Sequence, residues 1–424
     1  MTVSWEINKL ENGLRVVTTP VRTAQSVSVS MFVGVGSRSE EPRTNGLSHY
    51  LEHMMFKGTE RRPNAIEIAA AIEGAGGNIN AGTDRDLTVY YNHMPYDKLP
   101  LAMDVLADML QHSLIDQEEI DRERTVVQEE IRRAYDQPGA WVARLLVQAC
   151  FGDQPIGWPV AGTVETVQEL NRDDFMQHIG TWYVPENMVL SVGGNTTHRK
   201  VLAAARKLFR ALDGGTPPPV EAARDGIPPQ NVLVEARDLK QSNLAIGLRS
   251  VSRTDPERYA VMIMNAVLGR GMSSRLFKEV RERRGLAYSI SSGLVRYNDT
   301  GMLTVSAGVS PEKVAETTKV IRAELLKLVE ERVGEEELTK ARDYTIGSFR
   351  LGLETPMALA QRAGEQLLMV GEIEPIEDVV AHFEAVTADD VQRVARRLFR
   401  NDNLSIALVG PGADEGVLAE QLAA

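Results

Sequence analysis

Two histidines stand four residues apart with a glutamate between them, in His49-Tyr50-Leu51-Glu52-His53. On a helix, residues i and i+4 lie one turn apart on the same face. Both imidazoles can then reach a single ion, at about 2.0–2.1 Å per nitrogen. Glu52 falls about 60° from His49 around the helix axis, where it can hold a water at that ion. The bland alternative is a solvated polar face carrying two surface histidines.

The helix needed for this has local support. Thr44 or Asn45 is expected to cap its start and Gly58 to close its end. Leu47, Leu51 and Met54 fall on one stripe, which predicts a buried side. His49, Glu52 and His53 fall on the other side and are expected to face a cleft. The pattern is the inverted form of the zinc-peptidase motif, H-x-x-E-H. A catalytic zinc takes a third protein ligand and keeps one open position. The segment 117–134 is expected to be helical and rich in candidates. With Ile120 set as zero, Val127 and Ile131 lie within about 20° and mark an apolar stripe. Glu123 and Glu130 lie near about −60° and −80°, on one flank of that stripe. Glu129 lies on the far side and is expected in solvent. One of Glu123 and Glu130 can bind the ion while the other orients a ligand.

The elements around these residues are mixed. Alternating apolar residues predict strands at 26–35 (Val27, Val29, Met31, Val33) and 87–92. Helical periodicity covers 65–73, 101–111, 117–134 and 201–208. Strands joined by short turns beside long helices favour an α+β fold, with helices packed on a largely antiparallel sheet. A weak self-match recurs at a spacing of about 216 residues. Gln25-Ser26 returns as Gln241-Ser242, and Ser37-Arg38 as Ser252-Arg253. Glu119-Ile120 returns as Glu337-Leu338, Asp173-Asp174 as Asp389-Asp390, and Asn187 before a strand as Asn403. Between the copies, 213–230 is dense in proline and glycine and reads as a linker. The expected division is a first domain at 1–212, a linker at 213–230 and a duplicated domain at 231–424.

Composition narrows the function classes. The 47 basic and 59 acidic residues give a net charge of −12, so binding through nucleic-acid phosphates is not expected. The one cysteine, Cys150, sits in an apolar stretch and is expected as a buried small hydrophobe. The start of the chain shows no signal-peptide pattern, and no run of about 18 apolar residues suggests a membrane span. A cytoplasmic protein is the expectation.

The stretch Gly46-Leu47-Ser48-His49-Tyr50-Leu51-Glu52-His53-Met54-Met55-Phe56-Lys57-Gly58-Thr59 resembles the signature of the pitrilysin/insulinase-type zinc peptidases, family M16. The family's third ligand follows within a pattern E-R-x-x-V-x-x-E. Glu123-Arg124-Thr125-Val126-Val127-Gln128-Glu129-Glu130 is similar, with Glu130 77 residues after His53. Gly76-Gly77-Asn78-Ile79-Asn80-Ala81-Gly82-Thr83 resembles the family's stretch leading into a sheet-edge strand beside the zinc. Arg281 and Tyr288, at a seven-residue spacing, resemble a pair in a later domain of active members.

The resemblance implies a two-domain M16 fold and one zinc per chain. It makes His49, His53 and Glu130 the ligands, Glu123 a partner to a ligand, and Glu52 the general base. Asn80 and Ala81 would contact substrate backbone, while Arg281 and Tyr288 would contact the reacting carbonyl. The second copy has Asn265 to Gly269 and Ser348 near the matching positions and would hold no zinc. A half-length member implies a dimer closing on peptides or unfolded segments. A homodimer is the economical expectation, a heterodimer with a related subunit the variant. The competing class is a catalytically silent core subunit, which would lack metal ligands.

Overall fold

The computed structural model describes residues 4–224, 232–412 and 414–423. Its strands are β1 (Glu6–Lys9), β2 (Arg15–Pro20), β3 (Ser26–Val33), β4 (Asn78–Thr83), β5 (Thr88–Pro95), β6 (Met188–Gly194), β7 (Val232–Glu235), β8 (Ser242–Ser250), β9 (Ala287–Arg296), β10 (Gly301–Val309) and β11 (Leu404–Val409). They form two sheets, ordered β1-β2-β6-β3-β5-β4 and β7-β11-β8-β10-β9. Beyond β1 the two orders are the same, with β2 to β6 read as β7 to β11. In each, one pair is parallel, β2 with β6 and β7 with β11, and the other pairings are antiparallel. The α+β architecture and its duplication are therefore as expected.

The repeated residues do the same work in both copies. Asn187 donates its amide to the carbonyls of Trp182 and Gly34, at 2.9 and 3.2 Å. Asn403 donates to those of Leu398 and Arg249, at 3.0 and 2.9 Å. Each thereby ties the end of a helix to the neighbouring strand. Asp174 and Asp390 each complete a capping box at a helix start, with Asn171 and Thr387 as the caps.

The helices follow the sequence periodicity closely. Ala65–Glu73 has the expected bounds, and those expected at 101–111, 117–134 and 201–208 run Leu99–His112, Gln117–Asp136 and His198–Leu208. Fraying and extension by a turn at helix ends is normal. The first expected strand ends at Val33, and the second is Thr88–Pro95.

The chain packs as two compact units: 1–131 with 159–221 and 350–374, and 132–158 with 222–349 and 375–424. Each unit thus takes a segment from the other half of the sequence. The repeat, which divides the chain in sequence order, does not show these two exchanges. In the first unit, Val27, Val29, Met31 and Val33 of β3 enter the main core. The opposite face of β3 carries Ser28, Ser30 and Phe32, all buried. There the helix Pro356–Met369 packs on β2, β3 and β6, and its Ala363 and Leu367 join Phe32, Val17 and Val189. Small residues permit the close approach: a Cβ on Gly193 would lie 2.3 Å from the Pro356 carbonyl oxygen. In the second unit the helix Pro138–Phe151 lies on β8 and β11, joining Ala245, Ala407 and Val409 through Val142, Leu146 and Cys150. Residues 213–224 form neither helix nor strand, and 225–230 of the expected linker lie outside the described residues. Among the described residues no helix is long and apolar enough to cross a membrane.

Candidate metal centre

His49, Glu52 and His53 project from the helix Leu47–Met54. Leu47, Leu51 and Met54 are buried, as their stripe predicts. The start of the helix departs from expectation. Its N-cap is Gly46, with φ +101°, which has no side chain of its own to accept the first N–H groups. The turn brings Gly46 against the backbone of Ala161, where a Cβ would meet the carbonyl oxygen at 2.7 Å, so only glycine fits. The free N–H groups are taken by Glu40, a residue with no periodic signal in the sequence. Gly46 N donates to its Oε2 and Ser48 N to its Oε1, both at 2.7 Å. Asn45 Nδ2 donates to the same carboxylate at 3.0 Å. Thr44 instead accepts from Glu41 N. The helix also stops at Met54, one turn before Gly58. Burial pushes the Glu40 carboxyl up to about 7, although its four hydrogen-bond contacts pull the other way.

The second helix, Gln117–Asp136, supplies Glu123 and Glu130. The hydroxyl of Tyr50, buried on the histidine helix, donates to the Ile120 carbonyl and joins the two helices. Ile120 and Val127 are buried, Ile131 partly so, and Glu129 is exposed, as the wheel predicts. Glu130 Oε2 lies 3.7 Å from His49 Nε2 and 3.4 Å from His53 Nε2. One ligand atom from each of the three residues lies within 4.8 Å of the others. Ligands at about 2.0–2.1 Å in a tetrahedron stand about 3.3 Å apart, and both distances to Glu130 are close to that spacing.

Glu123 is buried, and its Oε1 lies 2.9 Å from His53 Nδ1. Its other oxygen is paired with Lys57 Nζ. Burial alone would raise the Glu123 pKa, but the His53 and Lys57 hydrogen bonds hold it below the usual range. A carboxylate can only accept, so His53 carries a proton on Nδ1 and, when neutral, turns the Nε2 lone pair toward Glu130. His49 is kept neutral: burial and the neighbouring His53 push its pKa down to about 4. Burial acts the same way on His53, but the Glu123 hydrogen bond and the Glu130, Glu123 and Glu52 charges raise it overall. Three carboxylates thus crowd two imidazoles with one lysine among them, an excess of negative charge that a divalent cation offsets. Neutral His49 and the fixed Nε2 of His53 fit such an ion.

Glu52 accepts a hydrogen bond from Thr83 Oγ1 at 2.5 Å. Burial raises its pKa, opposed by the Thr83 bond and by His53, while Glu130 raises it further. Thr83 ends β4, the edge strand of the first sheet. Asn80 and Ala81 lie on the same strand, and Asn80 Oδ1 accepts the Ala81 N–H at 2.9 Å. Neither Thr83 nor Lys57 was singled out by sequence. A signal exists for Thr83 alone, which shares the inward face of β4 with Ile79 and Ala81 by two-residue alternation.

An insulinase (peptidase family M16) model matches residues 15–164, and an M16 inactive-domain model matches 169–344. An uncharacterized zinc protease of Streptomyces coelicolor is 39% identical over 413 residues, covering 96% of this chain and 89% of its own length. The chain belongs to peptidase family M16. An uncharacterized zinc protease of Bacillus subtilis is 34% identical over 408 residues, covering 95% of this M16 chain and 98% of itself. In fold, the chain is similar to a protease from Helicobacter pylori, with a TM-score of 0.90 at 24% identity, covering 97% of this chain and 100% of that one.

Arg281 and Tyr288 belong to the second unit of this M16 chain. Arg281 sits in a π-helical turn, Phe277–Glu282, and Tyr288 near the start of β9. The guanidinium carbon lies 4.9 Å from the Phe277 ring centre and 5.7 Å from that of Tyr288. Tyr288 is 81% exposed, so its hydroxyl is open to a ligand. The structure thus brings the three candidate ligands, Glu52 and Glu123 together in the first unit, and Arg281 beside Tyr288 in the second.

Proposed function

We propose that the protein is a zinc-dependent endopeptidase that hydrolyses peptides or unfolded segments. The observation that carries this reading is the meeting of His49 Nε2, His53 Nε2 and Glu130 Oε2 on two helices joined by Tyr50. Zinc on these groups supplies Lewis acidity, which acidifies water and polarises a peptide carbonyl. Glu123 holds the Nδ1 proton of His53 and keeps its Nε2 lone pair on the site. Glu52 takes the proton of the attacking water at a carboxylate oxygen and passes it to the leaving amine. Its raised pKa suits a group that must both accept and return a proton. The open edge of β4 near Asn80 and Ala81 pairs with substrate backbone, which gives affinity with little demand on sequence. Arg281 and Tyr288 donate to the carbonyl oxygen of the substrate as charge develops there.

In this reading the first half of the chain carries the chemistry and the second the Arg281–Tyr288 pair. Two copies form a dimer whose chamber excludes folded proteins, in a cytoplasmic setting. The experiment compares wild type and Glu52→Gln, both loaded with zinc, on a library of unstructured peptides. Cleavage by the wild type alone, with zinc bound by both, is the expected result. Equal cleavage by both removes Glu52 as the base. No cleavage by either favours a subunit that acts only with a related partner.

A further inference from the structure

Thr83 connects two parts of the site that the proposed mechanism treats separately. Its hydroxyl lies 2.5 Å from Glu52 Oε2, and its backbone ends the edge strand β4. The strand end is held firmly on its inner side. Thr83 pairs with Thr88 of β5, and the buried Thr88 hydroxyl donates to the Val35 carbonyl at 2.9 Å. Ile79 and Ala81, four and two residues earlier on the same face, pack on the core of the first unit. The β-branch of threonine restricts χ1, so the backbone position sets where the hydroxyl points. Glu52 lies across from it on the histidine helix, which packs against β4.

We propose that Thr83 is a positioning residue for Glu52, and that it couples occupancy of the β4 edge to the aim of that carboxylate. The inference rests on the reading of Glu52 as general base. A carboxylate offers two oxygens. Thr83 holds Oε2, and Oε1 is left to take the proton. A peptide added along β4 ties down the outer edge that β5 leaves unpaired, and so narrows further the range of the hydroxyl that aims Glu52. Binding energy gained at residues distant from the scissile bond then appears in turnover as well as in affinity.

The test uses the full-length, zinc-loaded protein and a series of unstructured peptides of increasing length around one cut site. Thr83→Val removes the hydroxyl and keeps the shape, Thr83→Ser keeps the hydroxyl, and Glu52→Gln is the control for the base. Thr83→Val is expected to lower kcat on the order of 10- to 100-fold. Its KM should stay within about twofold, and its zinc affinity, measured by competition with a chromophoric chelator, should be unchanged. Thr83→Ser should recover most of the loss. In the wild type kcat is expected to rise with peptide length, and that rise should flatten in Thr83→Val. Should Thr83→Val not fold, Thr83→Ala removes the same hydroxyl and is held to the same expectations. Wild-type kcat in the variant, with Glu52→Gln inactive, overturns the positioning role and leaves the base in place. Loss of zinc affinity in the variant also overturns it, because the hydroxyl would then serve the metal centre. An active Glu52→Gln overturns the base reading itself.

Discussion

Glu123 Oε1 and His53 Nδ1 lie 2.9 Å apart, with both groups mostly shielded from solvent. This contact decides which nitrogen of His53 is free, and Lys57 on the other carboxylate oxygen keeps Glu123 charged. Glu123→Gln keeps the volume and loses the charge. Its amide can present either an oxygen or an NH2 group to His53, so the tautomer is no longer fixed. Zinc affinity should fall about 10- to 100-fold, with the far-UV spectrum unchanged. Chelator competition on the purified variant measures it, and an unaltered affinity would show that Glu123 does not orient His53.

Zinc uptake should release protons. His53 has a raised pKa, and an imidazole must be neutral to bind a metal. Binding therefore weakens as pH falls through the raised His53 value, starting above the ordinary histidine pKa of 6.5, the sign set by competition between proton and ion. Calorimetric titrations in buffers of different ionisation enthalpy count the protons. Chelation should abolish cleavage and leave secondary structure intact, since the buried apolar residues of both helices pack in the core and not on the ion. With excess ion at about 100 times Kd, the stability lost on chelation is about 2.7 kcal/mol. Unfolding of the first unit on chelation would instead make the ion part of the core.

Glu40 gives a second pH signature. Its folded-state pKa of about 7 lies above the ordinary 4.5, so the folded chain binds the extra proton between these values. The associated stability is fully present below about 4.5 and is lost as pH rises through about 7. Glu40→Gln removes this dependence and sets an amide NH2 against the N–H of Gly46 or Ser48. It should cost about 1–3 kcal/mol and flatten the stability–pH curve over that window. Urea unfolding at several pH values would detect both, and an unchanged slope would count against the buried carboxyl.

Much of the site was legible because helix geometry is regular. The i, i+4 spacing of the histidines and the flank position of Glu130 survive directly as a cluster, with Glu123 against His53 beside it. Residue spacing could not tell the two glutamates apart, and the packing places them differently: Glu123 is buried against His53, while Glu130 faces both Nε2 atoms. Glu40 was hidden because it caps the histidine helix from a preceding loop, where no period applies. The glycine N-cap follows from close backbone approach to Ala161, a tertiary cause that Thr44 and Asn45 gave no hint of. The repeat foretold two like sheets through Asn187 and Asn403. The covered second faces of β3 and β8 did leave a trace: beside Phe32 and Arg249 they carry Ser28, Ser30, Ala245 and Gly247, small and uncharged where a solvated face would alternate in charged residues.

The exchange of segments between the two halves sets the order in which the protein can be completed during synthesis. The ribosome delivers β2, β3 and β6 long before the helix Pro356–Met369 that covers them, and the Ser191–Ala360 hydrogen bond spans 169 residues. Until that helix emerges, the nascent first unit presents Val17, Phe32 and Val189 as an uncovered apolar face. Conversely, the helix Pro138–Phe151 is made before β8 and β11, the strands it packs on. The two units are therefore interlocked in time. A nascent chain halted near residue 213 would be a client for chaperones, and the two helices of the candidate site that it already contains would sit on a half-covered sheet.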